Sequence, residues 1–503
     1  MKKINFRNYP SLIKEDLYLV MVFFLMTIAI LSKSFYQSSG YLSPDSTNYL
    51  ALAQNLLDGN GFYITSLNQS GKEFFAIWPI GYPSLIYLLA KLTGLSVFWA
   101  SKVLNIFFIG LILGILKSLF NKNAYLYGLI FLFASFLEIF TYTWSETAFI
   151  FGLVWFSASI FNFIKKPNEL FLISVSLLFS SLFLFLSRYI GAFSFGIIGL
   201  LGIYFGLVKK DKSKFIILIA ISLFNLLLMS GYLYHNLLET GNFTGMPRIP
   251  SPETNANLFS TLFKATVSEL IIHQNDTYLR KNLIFLAQYA LIGFFTFKYR
   301  GYIFKPRVQE SNNKIYLPFV FGIIGVTYLF FIILMRWNTQ FDIFNTRLLA
   351  PGSFLIFIAV INYIENITTQ KYFNIFKILL ISASLFSWTL NVPLKIRDQN
   401  ELTYNKTIEN TIKRYSKIKK NSIVVFGSNH LRYLNLNLYD ARPNFSPYYA
   451  KKESWAEFIL RINSENKRNI YLEVPTDLSV ESYDISVVEL TKKYKPNSLV
   501  KLE

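Results

Sequence analysis

Apolar residues in this chain gather into long runs, with the charges clumped in the gaps between them. Uncharged or nearly uncharged runs lie at 17–35, 97–116, 124–142, 147–164, 170–187, 189–208, 215–234, 282–298, 315–335, 348–364 and 378–394. A helix needs roughly 20 apolar residues to cross the hydrocarbon of a bilayer, so the pattern predicts about eleven transmembrane helices. Lys33, Lys102 and Glu138 stand near run ends, where a long side chain can reach the interface.

The gaps set an orientation. With the N-terminus in the cytoplasm, the inside loops hold Lys2, Lys3, Arg7 and Lys14; Lys117 and Lys122; Lys165 and Lys166; and Lys209, Lys210, Lys212 and Lys214. They also hold Lys298, Arg300, Lys305, Arg307 and Lys314, then Lys371 and Lys377. The outside loops are poorer, with Lys72, Arg188, a few basic residues between 236 and 281, and Arg336. This is the positive-inside pattern. Counting 80–94 as a further span would invert every later loop. Residues 79–94 are therefore predicted to lie along the outer membrane surface as an amphipathic or re-entrant helix. An odd number of spans puts the tail from about residue 395 outside. There, 422–426 and 469–474 predict strands, 483–490 a third, and 454–462 a helix. The expected fold class is an all-α polytopic membrane protein with a small extracytoplasmic α/β C-terminal domain. Residues 1–394 form the membrane module, 36–96 its first outside loop with surface helices, and 395–503 the tail.

Composition agrees. Of 503 residues, 53% are hydrophobic and only 16% charged, where a soluble chain would carry nearer a quarter. The net charge of +20 sits at the ends of apolar runs and along the tail, which suits anionic lipid headgroups rather than nucleic acid. The absence of cysteine excludes disulfides, thiolate catalysis and thiolate-bound zinc. Met1-Lys2-Lys3 precedes an apolar run without a small-residue cleavage site after Leu31, so a retained first helix is expected.

Candidate chemistry crowds the outer face. In the first outside loop, Asp45 and Ser46 stand at the start of a helix that Tyr49, Leu52, Ala53, Leu56 and Leu57 continue and Asp58-Gly59-Asn60-Gly61 ends. Either residue could simply be an N-cap. In the second, Glu146 of Tyr142–Thr147 opens the next helix, where its charge suits the helix dipole. An acidic side chain at the bilayer edge is also costly and often functional. Arg188, Arg248, Arg336 and Arg347 lie on the same side, as interfacial anchors or as a cationic clamp for a phosphate. His235 closes the seventh span; a three-histidine metal site would need His273 and His430 to converge on it from distant segments.

Taken together, Asp45, Tyr49, Ala53, Asn55, Leu56, Gly59, Gly61 and Phe62, followed by Trp78-Pro79-Ile80-Gly81-Tyr82-Pro83, resemble the first loop of the GT-C superfamily. The stretch looks most like bacterial glycosyltransferases related to protein O-mannosyltransferases and to the transferases that put aminoarabinose on lipid A. Trp144-Ser145-Glu146-Thr147 resembles their second-loop acidic motif, and Ser187–Gly191, Gly241–Ser251, Val425-Phe426 and Arg442-Pro443 are similar to further segments. The resemblance spans most of the chain and is specific in the first loop. It implies an inverting glycosyltransferase of GT-C type, working from a polyprenyl-phosphate-linked sugar outside the bacterial cytoplasmic membrane. The acceptor would be a protein, a lipid or a surface glycan. It further implies Asp45 as general base and Glu146 as the second acidic residue, with a divalent cation, Mg or Mn, as a candidate cofactor held by the two. Arg188, Arg347, Arg248, Trp78, Tyr82, Lys72 and His235 are the candidate substrate-binding residues. Two departures stand out: Ser46 follows Asp45 where many relatives have a second acidic residue, and Trp78 stands where some have a donor-phosphate lysine. A transporter or flippase of a lipid-linked sugar is the alternative class, and a relative that has lost its activity a third. Transporters bury polar groups near mid-membrane, whereas here the polar groups crowd one face.

Overall fold

The structure is a computed structural model that describes residues 9–65, 72–166, 169–250, 253–269, 290, 313–339, 341–397, 402–434, 436–444, 451–463 and 468–502. Among them, nine helical stretches are long and apolar enough to cross a membrane, from Glu15–Tyr36 to Gln370–Leu394. These meet nine of the expected runs. All of the run at 282–298 except residue 290 lies outside the described residues, and that at 124–142 is present in broken form.

Helix α1 (Tyr9–Tyr36) leads to α2 (Pro44–Leu57), a hairpin of β1 (Tyr63–Thr65) and β2 (Lys72–Phe74), and α3 (Gly81–Thr93). Helix α3 has 13 residues. At 1.5 Å per residue it is about 20 Å long, short of a hydrocarbon core of about 30 Å. It buries Tyr82, Pro83, Ile86 and Ala90 and exposes Leu88 and Leu92, as a one-sided helix lying against the bundle must. Gly81 allows the close approach: a Cβ there would stand 2.4 Å from the carbonyl oxygen of Leu186.

Helix α4 (Val97–Phe120) ends where Asn121 takes φ +47°. The chain returns along it as α5 (Ala124–Gly128), a 3₁₀ turn (Leu129–Leu132) and α6 (Ala134–Thr141), broken where Phe133 is extended. Phe120 stacks on Tyr127 at 3.7 Å, and at the other end Lys102 Nζ donates to the Thr141 carbonyl at 2.7 Å. The return leg therefore covers most of the length of α4. Helices α7 (Ser145–Lys165), α8 (Leu170–Ser187), α9 (Phe193–Ile203) and α10 (Lys212–Thr240) follow. Then come α11 (Asn255–Glu269), α12 (Asn313–Asn338), α13 (Thr346–Ile367) and α14 (Gln370–Thr389). Large apolar side chains such as Met26, Phe136, Phe149, Tyr328 and Phe354 fill the bundle core.

The tail opens with α15 (Tyr404–Tyr415) and builds a sheet in the order β4-β3-β5-β6 from β3 (Ile423–Val425), β4 (Tyr439–Ala441), β5 (Ile470–Glu473) and β6 (Leu499–Leu502). Strands β4, β3 and β5 are parallel and β6 is antiparallel to β5. Helix α16 (Trp455–Asn463) lies where a helix is expected. Residues 483–490, expected as a strand, instead enter α17 (Ile485–Lys492). Asp484 caps it, accepting from Ser486 N at 3.0 Å, and buried Val487, Val488 and Thr491 recur at helical spacing. The other two strands of the sheet are β4 and β6. The tail rests on the bundle end where α2, α7 and α13 begin: Tyr404 stacks on Phe98 at 3.7 Å.

Candidate active site

Four charged side chains meet at that end of the bundle, and local structure accounts for each. Ser43 is the N-cap of α2, its hydroxyl accepting from Ser46 N at 3.3 Å, and Pro44 is the first helical residue. Neither Asp45 nor Ser46 is the cap. Asp45 is left free in the first turn for another partner. Glu146 lies in the first turn of α7, whose cap position, Trp144, makes no side-chain capping bond. Arg188 interrupts the helical path with an extended backbone (φ −153°, ψ 136°) after α8. Arg347 lies in the first turn of α13, which Asn345 caps by accepting from Leu348 N at 3.1 Å.

Arg347 joins the group. Its Nη2 donates to Asp45 Oδ2 at 2.6 Å, 302 residues away, and its Nε to Glu146 Oε1 at 2.5 Å, 201 residues away. Its Nη1 lies 3.7 Å from Asp342 Oδ2, and the guanidinium sits 4.5 Å from the Trp144 ring centroid. Arg188 Nη1 ion-pairs with the same Glu146 oxygen. The Glu146 side chain has no exposure, whereas Asp45 keeps 23%. A buried carboxylate is tolerated only when paired, and two guanidiniums do so here. Glu146 Oε2 has no hydrogen-bond partner among the described residues.

An aromatic and amide wall holds the charges in place. Trp144 stacks on Tyr142 at 4.0 Å and donates from Nε1 to Ser43 Oγ at 2.8 Å, tying the second loop to the cap of α2. The Tyr49 hydroxyl, one turn beyond Asp45, bonds Ser145 at 3.1 Å. Burial and the adjoining Asp45 and Glu146 charges raise its pKa far above the usual phenol value, so it stays protonated. Tyr82 donates to Asn105 Oδ1 at 2.9 Å, as does Thr147, while Asn105 Nδ2 donates to the carbonyls of Phe140 and Tyr142 at 2.9 and 2.8 Å. Trp78 completes the wall, 5.6 Å from the Tyr49 ring.

Of the expected residues, the structure brings together Asp45, Glu146, Arg188 and Arg347, with Trp78 and Tyr82 beside them. Others lie apart. His235 is exposed, with its ring 5.2 Å from that of Phe74. Arg248 donates to Thr244 Oγ1 at 3.2 Å on the exposed loop after α10. Arg336 pairs with Glu253 at 2.6 Å. Lys72 is in β2, its side chain outside the described residues. His273 also lies outside them, and His430 is buried in the tail. Asn105 and Asp342 belong to the site without having been singled out, and Tyr49 and Trp144 were named as parts of motifs but not as site residues. Tyr49, at i+4 from Asp45, is the one that helical spacing could have found.

The donor set does not fit a tightly held divalent cation. Such an ion wants about six oxygen ligands. Here Asp45 and Glu146 converge with Asp342 farther off, and the Arg347 guanidinium already lies between the three. Among the described residues, no group of three His, Cys, Asp or Glu is placed to hold a metal.

No protein-family model matches the sequence, and no curated protein matches it at a significant level. The helices and the small C-terminal sheet make a fold that solved structures share. Among solved structures, the chain is similar to ArnT from Cupriavidus metallidurans bound to undecaprenyl phosphate, with 12% identity, a TM-score of 0.53 and 96% of each chain covered. It is also similar to the archaeal oligosaccharyltransferase AglB from Archaeoglobus fulgidus in complex with an inhibitory peptide and a dolichol-phosphate, with 12% identity, a TM-score of 0.50, and 99% of this chain and 74% of that one covered.

Proposed function

We propose that this protein transfers a sugar from a polyprenyl-phosphate carrier to an acceptor hydroxyl on the outer side of a bacterial cytoplasmic membrane, inverting the anomeric configuration. The observation that carries this reading is the single guanidinium of Arg347 shared between Asp45 and Glu146, with Arg188 on the same Glu146 oxygen.

The division of labour follows from exposure. Glu146, fully enclosed, fixes the two arginines. Asp45, partly open, faces the acceptor as general base. When the donor enters, its phosphate competes with Asp45 for Arg347. Transfer of the guanidinium to the phosphate frees the Asp45 carboxylate. Asp45 then takes the acceptor proton, the acceptor oxygen bonds to the anomeric carbon, and the bond from that carbon to the phosphate oxygen breaks. Polyprenyl phosphate leaves with the electron pair. Charge is conserved locally: the proton gained by Asp45 matches the extra negative charge on the leaving phosphate. Two guanidiniums at a water-poor surface stabilise that charge and take the part a metal would otherwise play. The two neighbours carrying polyprenyl phosphates support a lipid-linked donor. A transporter would need polar groups lining a mid-membrane path; these four charges pair at helix ends, which favours chemistry at the bilayer edge.

The test uses full-length protein in lipid nanodiscs with a panel of polyprenyl-phosphate monosaccharides, following release of polyprenyl phosphate. Asp45→Asn should lose on the order of a hundred- to ten-thousandfold in rate, the range of a general base. An unchanged rate would remove Asp45 from that role. A reporter fused after residue 395 should register outside the cytoplasm; a cytoplasmic signal would reverse the orientation.

A further inference from the structure

The tail does more than rest on the bundle. Arg432, with a side chain only 3% exposed, donates from Nε and Nη2 to Asp440 Oδ2, both at 3.1 Å. That pair uses one edge of the guanidinium. The remaining nitrogen, Nη1, crosses to α2, where it lies 3.3 Å from Thr47 Oγ1 and 3.5 Å from Asn48 Oδ1. Thr47 and Asn48 are buried, at 0% and 1% exposure. The Thr47 hydroxyl in turn donates to the Pro44 carbonyl at 2.8 Å, so the contact reaches the turn of helix that carries Asp45.

A second contact grips the chain just before that turn. Tyr404 stacks on Phe98 and fills the space beside Gly40, where a Cβ would stand 2.5 Å from its ring. Its hydroxyl bonds that of Tyr433 at 3.1 Å, which bonds His430 Nδ1 at 2.7 Å. The tail thus holds the entry to α2 at Gly40 and its first full turn at Thr47 and Asn48. Asp45 lies between.

We infer that the C-terminal domain is a working part of the active site, and that Arg432 is a positioning residue that seats the Asp45 helix against Arg347. Asp440 holds Arg432 from below, leaving one N–H edge for α2. An arginine suits this task because its fork serves two partners at fixed angles. The inference rests on the reading of Asp45 as base only for its catalytic consequence; the seating of α2 stands by itself.

Two measurements on the full-length protein in nanodiscs test it. In hydrogen exchange, Arg432→Gln should raise exchange about tenfold or more in the peptide over residues 44–57, and Arg432→Lys should restore much of the protection. In polyprenyl phosphate release from the same donor panel, Arg432→Gln should lower kcat about ten- to hundredfold, as a misplacement of about 1 Å would, with the donor KM within threefold. If Arg432→Gln unfolds the tail, the double change Thr47→Val with Asn48→Ala removes the same contacts and leaves the Arg432–Asp440 pair intact. It should give the same two results. Unchanged exchange over 44–57 in either variant would overturn the inference, as would a loss confined to donor KM. An active Asp45→Asn enzyme would sink the base assignment alone, because the exchange measurement is independent of it.

Discussion

The two ends of α13 carry opposite charges, and both oppose the helix dipole. Arg347 stands in the first turn, where a cation is disfavoured, and Glu365 in the last, where an anion is. Each is compensated differently. Glu365 accepts from Asn123 Nδ2 at 2.6 Å and from the Tyr127 hydroxyl at 2.7 Å, and Asn362 closes that network through Tyr127 at 2.9 Å. Those neutral bonds tie helix ends together and involve no counter-charge. Arg347 is instead held by carboxylates that a phosphate could displace. A carboxylate held only by uncharged donors is a fixed joint, whereas an ion pair at a partly open edge can exchange partners. Under the proposed function, the contrast sets a fixed joint at one end of the bundle against the proposed reactive site at the other.

The comparison breaks most visibly at Arg347. Arg347→Lys keeps the charge but cannot fork between two carboxylates or lie flat on Trp144; polyprenyl phosphate release should fall about a hundredfold or more. Arg347→Gln should in addition lower stability by about 3 kcal/mol, since a buried carboxylate loses one of its two partners. Adding Glu146→Gln to Arg347→Gln should recover much of that stability without recovering transfer, which thermal unfolding and the release assay would separate. Loss of both properties together would make the cluster merely structural. At the other end, Glu365→Gln should leave release within about twofold of wild type and change stability by no more than about 1 kcal/mol.

The smallest effect concerns the tail. Burial lowers the His430 pKa from 6.5 to about 4. The unfolded chain therefore binds a proton that the folded chain refuses, so the stabilisation is complete above about pH 6.5 and is lost as pH falls toward 4. His430→Asn should flatten the slope of unfolding against pH in that window. An unchanged slope would place His430 in contact with water.

Much of the frame was legible because a bilayer imposes a simple rule on sequence: a span is a long apolar run. The acids and arginines at the site's end of the bundle were legible for the same reason, since charges there interrupt that rule. The rest depends on tertiary contact. That Ser43, not Asp45, caps α2 follows from backbone angles two residues apart. The helical state of Ile485–Lys492 was hidden because a short apolar stretch fits either period, and the Asp484 cap settles it. The meeting of Arg347 with Asp45, and of Arg432 with Thr47 385 residues away, leaves no local trace. His235 looked eligible by position at a span end, yet its side chain turns to Phe74.

The proposed exchange of Arg347 between Asp45 and a phosphate has a thermodynamic signature. If the two compete, removing the carboxylate must strengthen phosphate binding even as it destroys the base. Titration of undecaprenyl phosphate into Asp45→Asn, Arg347→Gln and the wild-type protein measures this directly. Expected is binding about fivefold tighter in Asp45→Asn, the equivalent of a partly exposed ion pair, and loss of binding in Arg347→Gln. Equal affinity in all three would contradict the shared guanidinium as the centre of the reaction.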